Sequence, residues 1–327
     1  MVALAVDRDP VGFLPVAVAT IVPSRAVGIP LFVRDVNCPL PRLYRGSDYP
    51  LTDADLAELT ARGVSTLHIR SVHYHRYQEY IRQSLPAVLD DESLPAERRL
   101  DALHHVARDV LAEVFRSKSI EQAVEQAEVL GRHIVTLVNS DDFIASHLWR
   151  VIHHDYHTFT HSLNVACFAV TLARALGWSD EVTLHRLSIG ALLHDVGKLH
   201  VPDAILSKAG RLTDEEFELV KTHPALGFRS LCSRESLGFD QLMMVYQHHE
   251  RLDGHGYPVK AVDDEIHPWG RLCAVADVFE ALTSNRPYRP AMPLEQALST
   301  MQKQARIALD EEMLTCWMQT IRGGSPS

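Results

Sequence analysis

The chain has 327 residues, 46% hydrophobic and 23% charged, which excludes a disordered or fibrous protein and suits a folded one of two domains. A formal net charge of -10 argues against binding to nucleic acid polymers, which depends on basic surface releasing counterions, but leaves room for a small phosphorylated ligand where cations cluster. The five cysteines, Cys38, Cys167, Cys232, Cys273 and Cys316, show no CxxC spacing and read as buried thiols of a reducing compartment, so a cytoplasmic location is expected.

From the N-terminus, the apolar run "VGFLPVAVATIVP" is broken by Pro15, has no positively charged segment before it and is followed by Ser24 and Arg25. It is read as neither a membrane span nor a signal peptide. Residues 1–85 combine β-favouring runs ("FLPVAVATIV", "IPLFVRDV", "VSTLHIR") with one helical segment, "TDADLAELTARG", capped at Thr52 or Asp53 and stopped at Gly63. Residues 86–150 read as connecting helices, with apolar residues recurring at three and four, as in Leu103, Val106, Val110, Leu111 and Val114. Residues 151–322 read as almost wholly helical, with loops near Val201–Leu212 and Leu252–Trp269 and a frayed tail "GGSPS". The expected fold is therefore mainly α: an all-helical C-terminal bundle behind a small strand-rich (α+β) N-terminal module.

Nineteen histidines make a high background, so spacing has to separate ligands from bystanders. Five segments of the helical half carry candidates: His161, "LLHDVGKLH", "VKTHPALG", "YQHHERLDGHGYP" and "VADVFEAL". Each lies within or at the end of an apolar-periodic stretch, where a bare imidazole or carboxylate is costly unless compensated. His194 and Asp195 can bind the same divalent cation, and the second carboxylate oxygen can bridge to a neighbouring ion, which permits a two-metal centre. Mixed imidazole and carboxylate ligands suit iron, manganese or zinc, and iron or manganese is the expectation. Taken singly, some candidates have plainer readings. His223 can end the helix opened by the capping box of Thr213 and Glu216, and His248 and His249 can lie on the surface. Asp277, among apolar neighbours, would be costly to bury without a partner.

Taken in order, "HSLNVA" (161–166), "LLHDVGKLHVPDAILSKAGRLTDEEFELVKTHPALG" (192–227), "HHERLDGHGYP" (248–258), "EIHPWGRLCAVADVFEALTSNRPYRPAM" (265–292) and "EQAL" (295–298) resemble the HD superfamily of metal-dependent phosphohydrolases, specifically its HD-GYP branch. The resemblance spans about residues 150–310. It implies a bacterial signalling enzyme that cleaves the 3'-5' phosphodiester bonds of cyclic di-GMP to pGpG and then GMP. Carried over by position, it makes His161, His194, Asp195, His223, His248, His249 and Asp277 metal ligands, with Asp195 as the bridge. It also implies that Lys198 contacts the scissile phosphate, where an ammonium would stabilise developing negative charge. Gly256, Tyr257 and Pro258 form the "GYP" loop, read as a tight turn needing one permissive glycine and one fixed φ, with Tyr257 stacking on or hydrogen-bonding to the nucleotide. Arg286 and Arg289 match cationic positions that hold phosphates, a task suited to the guanidinium fork. Arg251 and Asp253 read as an ion pair supporting the loop.

His157 stands four residues before His161, where some members of that family have a glutamate that helps to bind a third metal. Two or three divalent ions are therefore expected. His153, His154, His200, His104 and His105 match no ligand position and read as residues of polar helix ends and loops. The alternatives to a cyclic di-GMP phosphodiesterase are a catalytically weak cyclic di-GMP receptor or scaffold, and a phosphodiesterase for another cyclic dinucleotide. A diguanylate cyclase or other signalling protein is an expected partner, a homodimer an expected assembly, and a membrane is not expected as a partner.

Overall fold

The computed structural model describes residues 12–34, 40–140, 158–208, 210–286 and 289–323. By compactness the chain divides into Met1–Asp109 and Val110–Ser327, a boundary inside the stretch expected to hold connecting helices. The first unit holds a four-stranded antiparallel sheet in the order β1-β4-β2-β3, from β1 (Phe13–Ala17), β2 (Leu31–Val33), β3 (Arg42–Arg45) and β4 (Thr66–Arg70). Its first helix, α1 (Asp53–Ala61), starts as the sequence predicts: the Thr52 hydroxyl accepts from Asp55 N while the Asp55 carboxylate accepts from Thr52 N.

Two elements of this unit depart from the sequence reading. β3 is a strand that no apolar run announces, because Arg42, Leu43, Tyr44 and Arg45 sit at the sheet edge without a fully buried side chain. A long helix, α2 (Tyr74–Leu89), fills residues expected to be strand-rich. Its buried face is Tyr77, Tyr80, Ile81, Ser84, Leu85 and Val88, a helical spacing disguised by aromatic residues that also favour strands. The tyrosine hydroxyls have partners: Tyr77 Oη lies 2.5 Å from Thr20 Oγ1, and Tyr80 Oη accepts from Val22 N.

The unit boundary falls inside α3 (Ala96–Ser117). His104 and His105 lie inside this helix rather than at an end or in a loop, His105 beside Asp101 at 3.6 Å.

Among the described residues, every named element of the second unit is helical, as expected. It holds α4 (Ile120–Asn139), α5 (Thr158–Ala175), α6 (Glu181–Leu193), the short α7 (Asp203–Leu206), α8 (Asp214–Val220), α9 (His223–Leu231), α10 (Phe239–Gln247), α11 (Pro268–Thr283), α12 (Leu294–Gln302) and α13 (Glu311–Ile321). Thr160 to Ala173 of α5 are buried without interruption, the pattern of a helix enclosed on all sides. α6, α11 and α13 pack on α5, while α4 and α10 pack on α6. Phe168, Phe279 and Trp317 lock α5, α11 and α13 together edge to face, with ring centroids 5.0–5.3 Å apart.

Candidate metal centre

This packing brings the ends of four helices and the middle of a fifth to one place. His161 lies in the first turn of α5, His194 and Asp195 follow α6, His223 opens α9, His248 and His249 follow α10, and Asp277 lies in α11. The plainer reading of His223 is thereby corrected. α8 ends at Val220, and His223 is the first residue of the next helix, buried at the end that packs on the 3-10 turn Val196–His200. Gly197 makes that approach feasible: a Cβ there would come within 1.9 Å of the His223 carbonyl oxygen.

The Asp195 carboxylate is the hub. Oδ2 lies 3.5 Å from His161 Nε2 and 3.4 Å from His194 Nε2; Oδ1 lies 3.1 Å from His223 Nε2 and 3.9 Å from His248 Nε2. Two ligand groups result, one of His161, His194 and Asp195, the other of Asp195, His223, His248 and His249. Asp277 borders both, 3.2 Å from His161 Nε2 and 3.9 Å from His249 Nδ1.

Hydrogen bonding behind the rings sets their tautomers. Nδ1 of His194 donates to the Ala191 carbonyl (2.6 Å), that of His223 to Val220 (2.7 Å) and that of His248 to Val245 (2.9 Å). A carbonyl can only accept, so in the neutral rings Nε2 presents a lone pair to the centre. His223 Nε2 and His248 Nε2 thus face each other at 3.2 Å, lone pair against lone pair. His194 Nε2 and Asp195 Oδ1 are buried with no hydrogen-bond partner among the described residues. Lone pairs left bare in a buried site are costly, and divalent cations between them would remove the cost; the residues fit metal ions.

The electrostatics agree. Burial alone would raise the Asp195 and Asp277 carboxyls. The Lys198 ammonium and His194 outweigh it at Asp195, and His161 outweighs it at Asp277, so both are held well below the usual carboxylate range. Burial and neighbouring histidines push His248 well down, and burial takes His249 to about 3, so both rings stay neutral. His161 goes the other way. Burial would lower it, but Glu280, Asp195 and Asp277 surround it and raise it well above its ordinary value. Without a metal, its proton supplies the positive charge that three carboxylates demand.

The HD domain family matches residues 141–313, 53% of the chain by that span. The chain belongs to the HD domain family. Over 198 residues, 60% of this chain, it is 34% identical to a cyclic di-GMP phosphodiesterase of Pseudomonas aeruginosa, covering 47% of that protein. It is 43% identical over 147 residues to a cyclic di-GMP phosphodiesterase of Thermotoga maritima, covering 44% of this chain and 39% of that one. A 3'3'-cGAMP-specific phosphodiesterase of Vibrio cholerae is 42% identical over 159 residues, covering 48% and 34%. The chain thus spans less than half the length of each of these relatives. Among solved structures, an HDG"Y"P protein of Bdellovibrio bacteriovorus shares the fold, with a TM-score of 0.64 and 19% identity over 95% of this chain and 100% of that one.

Within the HD domain, the remaining residues singled out in the sequence fall as follows. Lys198 Nζ lies 2.5 Å from Asp195 Oδ2. The Tyr257 ring lies over His249, with centroids 4.7 Å apart, and burial pushes its hydroxyl well up. Arg251 and Asp253 pair at 2.6 and 3.0 Å. Gly256 corrects the turn argument. Its φ is not positive, Gly254 being the glycine with φ +71, and what Gly256 provides is space: a Cβ there would lie 2.5 Å from both Arg251 N and Glu250 Cα. Arg286 donates to Glu280 Oε2 at 2.8 Å, and Arg289 to the Ala281 carbonyl at 2.5 Å. His200 pairs with Ser230 outside the centre. His153, His154 and His157 lie outside the described residues.

Two carboxylates escaped the sequence reading. Glu280 accepts from Asn164 (3.3 Å), Ser284 (2.8 Å) and Arg286, and its Oε2 lies 2.6 Å from His161 Nδ1, a carboxylate backing a candidate ligand histidine. Burial opposes its ionisation, but His161 and Arg286 hold it down at about 2. Glu250 accepts from the backbone N–H of Val259 (2.7 Å) and Lys260 (3.0 Å), tying down the chain after Pro258. The usable signal was position: Glu280 lies one helical turn after Asp277 in an apolar run.

Proposed function

We propose that this chain is a metal-dependent phosphodiesterase that hydrolyses the 3'-5' phosphodiester bonds of cyclic di-GMP, giving pGpG and then GMP. The observation that carries the reading is the Asp195 carboxylate, whose two oxygens face two separate sets of histidine nitrogens. Divalent ions held there would supply a nucleophile at neutral pH and neutralise charge on a phosphoryl group. His161, His194, His223, His248, His249 and Asp277 would hold them with Asp195, and oxygen and imidazole ligands without thiolate favour iron or manganese. His157 would serve a third ion. Lys198, beside the bridge, stabilises negative charge gathering on the phosphate. Tyr257, whose ring lies against His249, meets the nucleotide, and Gly256 and Pro258 shape its loop. Arg286 and Arg289 hold phosphate once substrate draws them from Glu280 and Ala281. The four described cysteines are free, in keeping with a cytoplasmic enzyme; Cys167, Cys273 and Cys316 are buried as expected, whereas Cys232 is exposed and corrects that part of the reading.

The test is chromatography of products after incubating cyclic di-GMP with anaerobically prepared protein loaded with iron(II) or manganese(II). The reading expects pGpG or GMP from the wild type and none from Asp195→Ala; an inert wild type under both metals refutes it. A second substrate, 3'3'-cGAMP, has support in the 42% identity to the Vibrio cholerae protein named for it. Parallel assays of the two dinucleotides rank them.

A further inference from the structure

The segment that leads from α8 into His223 carries a cation between two aromatic rings. Lys221 Nζ lies 4.8 Å from the Phe217 ring centroid and 6.0 Å from that of Tyr257. Tyr257 in turn lies 4.7 Å from His249 and 6.4 Å from His223 between centroids. The Lys221 ammonium is therefore one aromatic ring removed from the ligand cluster. Its ion pair is with Glu218, at 2.6 Å, and the Glu218 side chain is 68% exposed, so water can replace that partner at little cost. Phe217 is 46% exposed and Val259, just past the Tyr257 loop, 53% exposed.

We propose that Phe217, Lys221 and Tyr257 form a nucleotide subsite for the half of a cyclic dinucleotide that is not being cleaved. Lys221 receives the second phosphodiester, and a base stacks on Phe217 or Tyr257. The inference rests on the phosphodiesterase reading above. A cyclic dinucleotide carries two phosphodiesters and two bases, and the centre with Lys198 engages one phosphate during attack. In a chain of net charge -10, the other phosphate needs a local cation. Arg286 and Arg289 reach a phosphate only by leaving Glu280 and the Ala281 carbonyl, whereas Lys221 already stands beside the Tyr257 ring and adds a further cation. An ammonium serves phosphate as a point charge, and aromatic faces accept any base.

The test is calorimetric binding of a hydrolysis-resistant phosphorothioate analogue of cyclic di-GMP to the manganese-loaded full chain at several salt concentrations. Hydrolysis of bis(p-nitrophenyl) phosphate, which has no second phosphate, runs beside it. Lys221→Ala should weaken binding by at least about tenfold and lower the salt dependence by about one counterion, while leaving bis(p-nitrophenyl) phosphate turnover unchanged. Phe217→Ala should weaken binding about 5- to 100-fold. Glu218→Gln, which frees Lys221, should bind at least as tightly as the wild type, and Lys221→Arg should restore most of the affinity. If Lys221→Ala and Phe217→Ala bind like the wild type, the subsite is wrong and the phosphodiesterase reading stands. If the wild type turns over bis(p-nitrophenyl) phosphate but neither binds nor cleaves cyclic dinucleotides, both are withdrawn.

Discussion

The two halves of the ligand cluster share Asp195 and differ in what stands behind their histidines. In the His161 half, Nδ1 of His161 rests on the Glu280 carboxylate, with Asp277 at 3.2 Å on its other side. In the half with His223 and His248, Nδ1 of each ring rests on the neutral backbone carbonyl of the residue three positions earlier. Acidic groups around the His161 imidazole raise it so that it holds a proton in the metal-free fold, whereas burial, with neighbouring histidines, keeps His248 and His249 neutral. The same residue type would thus be tuned to two affinities, in part by groups outside the candidate ligand set: the Glu280 carboxylate and the Val220 and Val245 carbonyls.

The largest expected effect comes from the residue that both halves share. Asp195→Ala should abolish hydrolysis, a loss beyond the roughly 10²- to 10³-fold cost of deleting one electrostatic stabiliser, as measured by kcat with circular dichroism as the folding control. Next come substitutions that separate the halves: elemental analysis should find one ion fewer in His161→Ala and in His248→Ala, with the surviving ion in opposite halves. Loss of both ions in each variant would mean that the halves cannot load independently. Glu280→Gln should weaken metal affinity about 10- to 100-fold in the His161 half and leave the other half alone, by equilibrium titration. An equal loss in both halves would break the distinction drawn from the carboxylate.

The smallest effect is in pH. His161 is raised, so at neutral pH its proton competes with metal, and affinity in that half should rise about tenfold per pH unit until pH passes its metal-free pKa. His249 is lowered to about 3 and His248 lies well below its ordinary value, so neither adds proton competition between about pH 5 and 8. The signs for stability of the metal-free fold also differ. The raised His161 contributes stability fully present below about pH 6.5 and lost as pH rises through its folded pKa. The lowered His248 and His249 cost stability as pH falls below about 6.5, because the unfolded chain takes up protons that the fold refuses. Titrations at pH 5.5, 7 and 8.5 should show this rise in affinity in the His161 half.

How much of this could be read in the residues follows from what each one says locally. "HSLNVA", "HDVGK", "VKTHPALG", "HHERLDGHGYP" and the Asp277 run place candidate ligands in or at the ends of apolar-periodic stretches, and the seven residues so marked meet at one centre. The histidine tautomers were not legible, because the carbonyls that set them belong to Ala191, Val220 and Val245, whose side chains carry no sign of it. Glu280 is not legible locally, because a glutamate in a helix is usually a solvated one; only the packing of α5 on α11 puts it against His161. Arg286 was read for its guanidinium alone, whereas its partner in the fold is that same buried carboxylate. In the first unit, α2 hid behind tyrosines, and β3 behind its lack of an apolar run.

The claim on which the account rests is that one carboxylate joins two ion sites, and electron paramagnetic resonance of the manganese-loaded protein tests it most directly. With two equivalents of manganese(II) bound, the account predicts the spectrum of an exchange-coupled pair, giving way in His161→Ala to the hyperfine pattern of an isolated ion. A wild type that binds two equivalents and shows only uncoupled, isolated ions would contradict it.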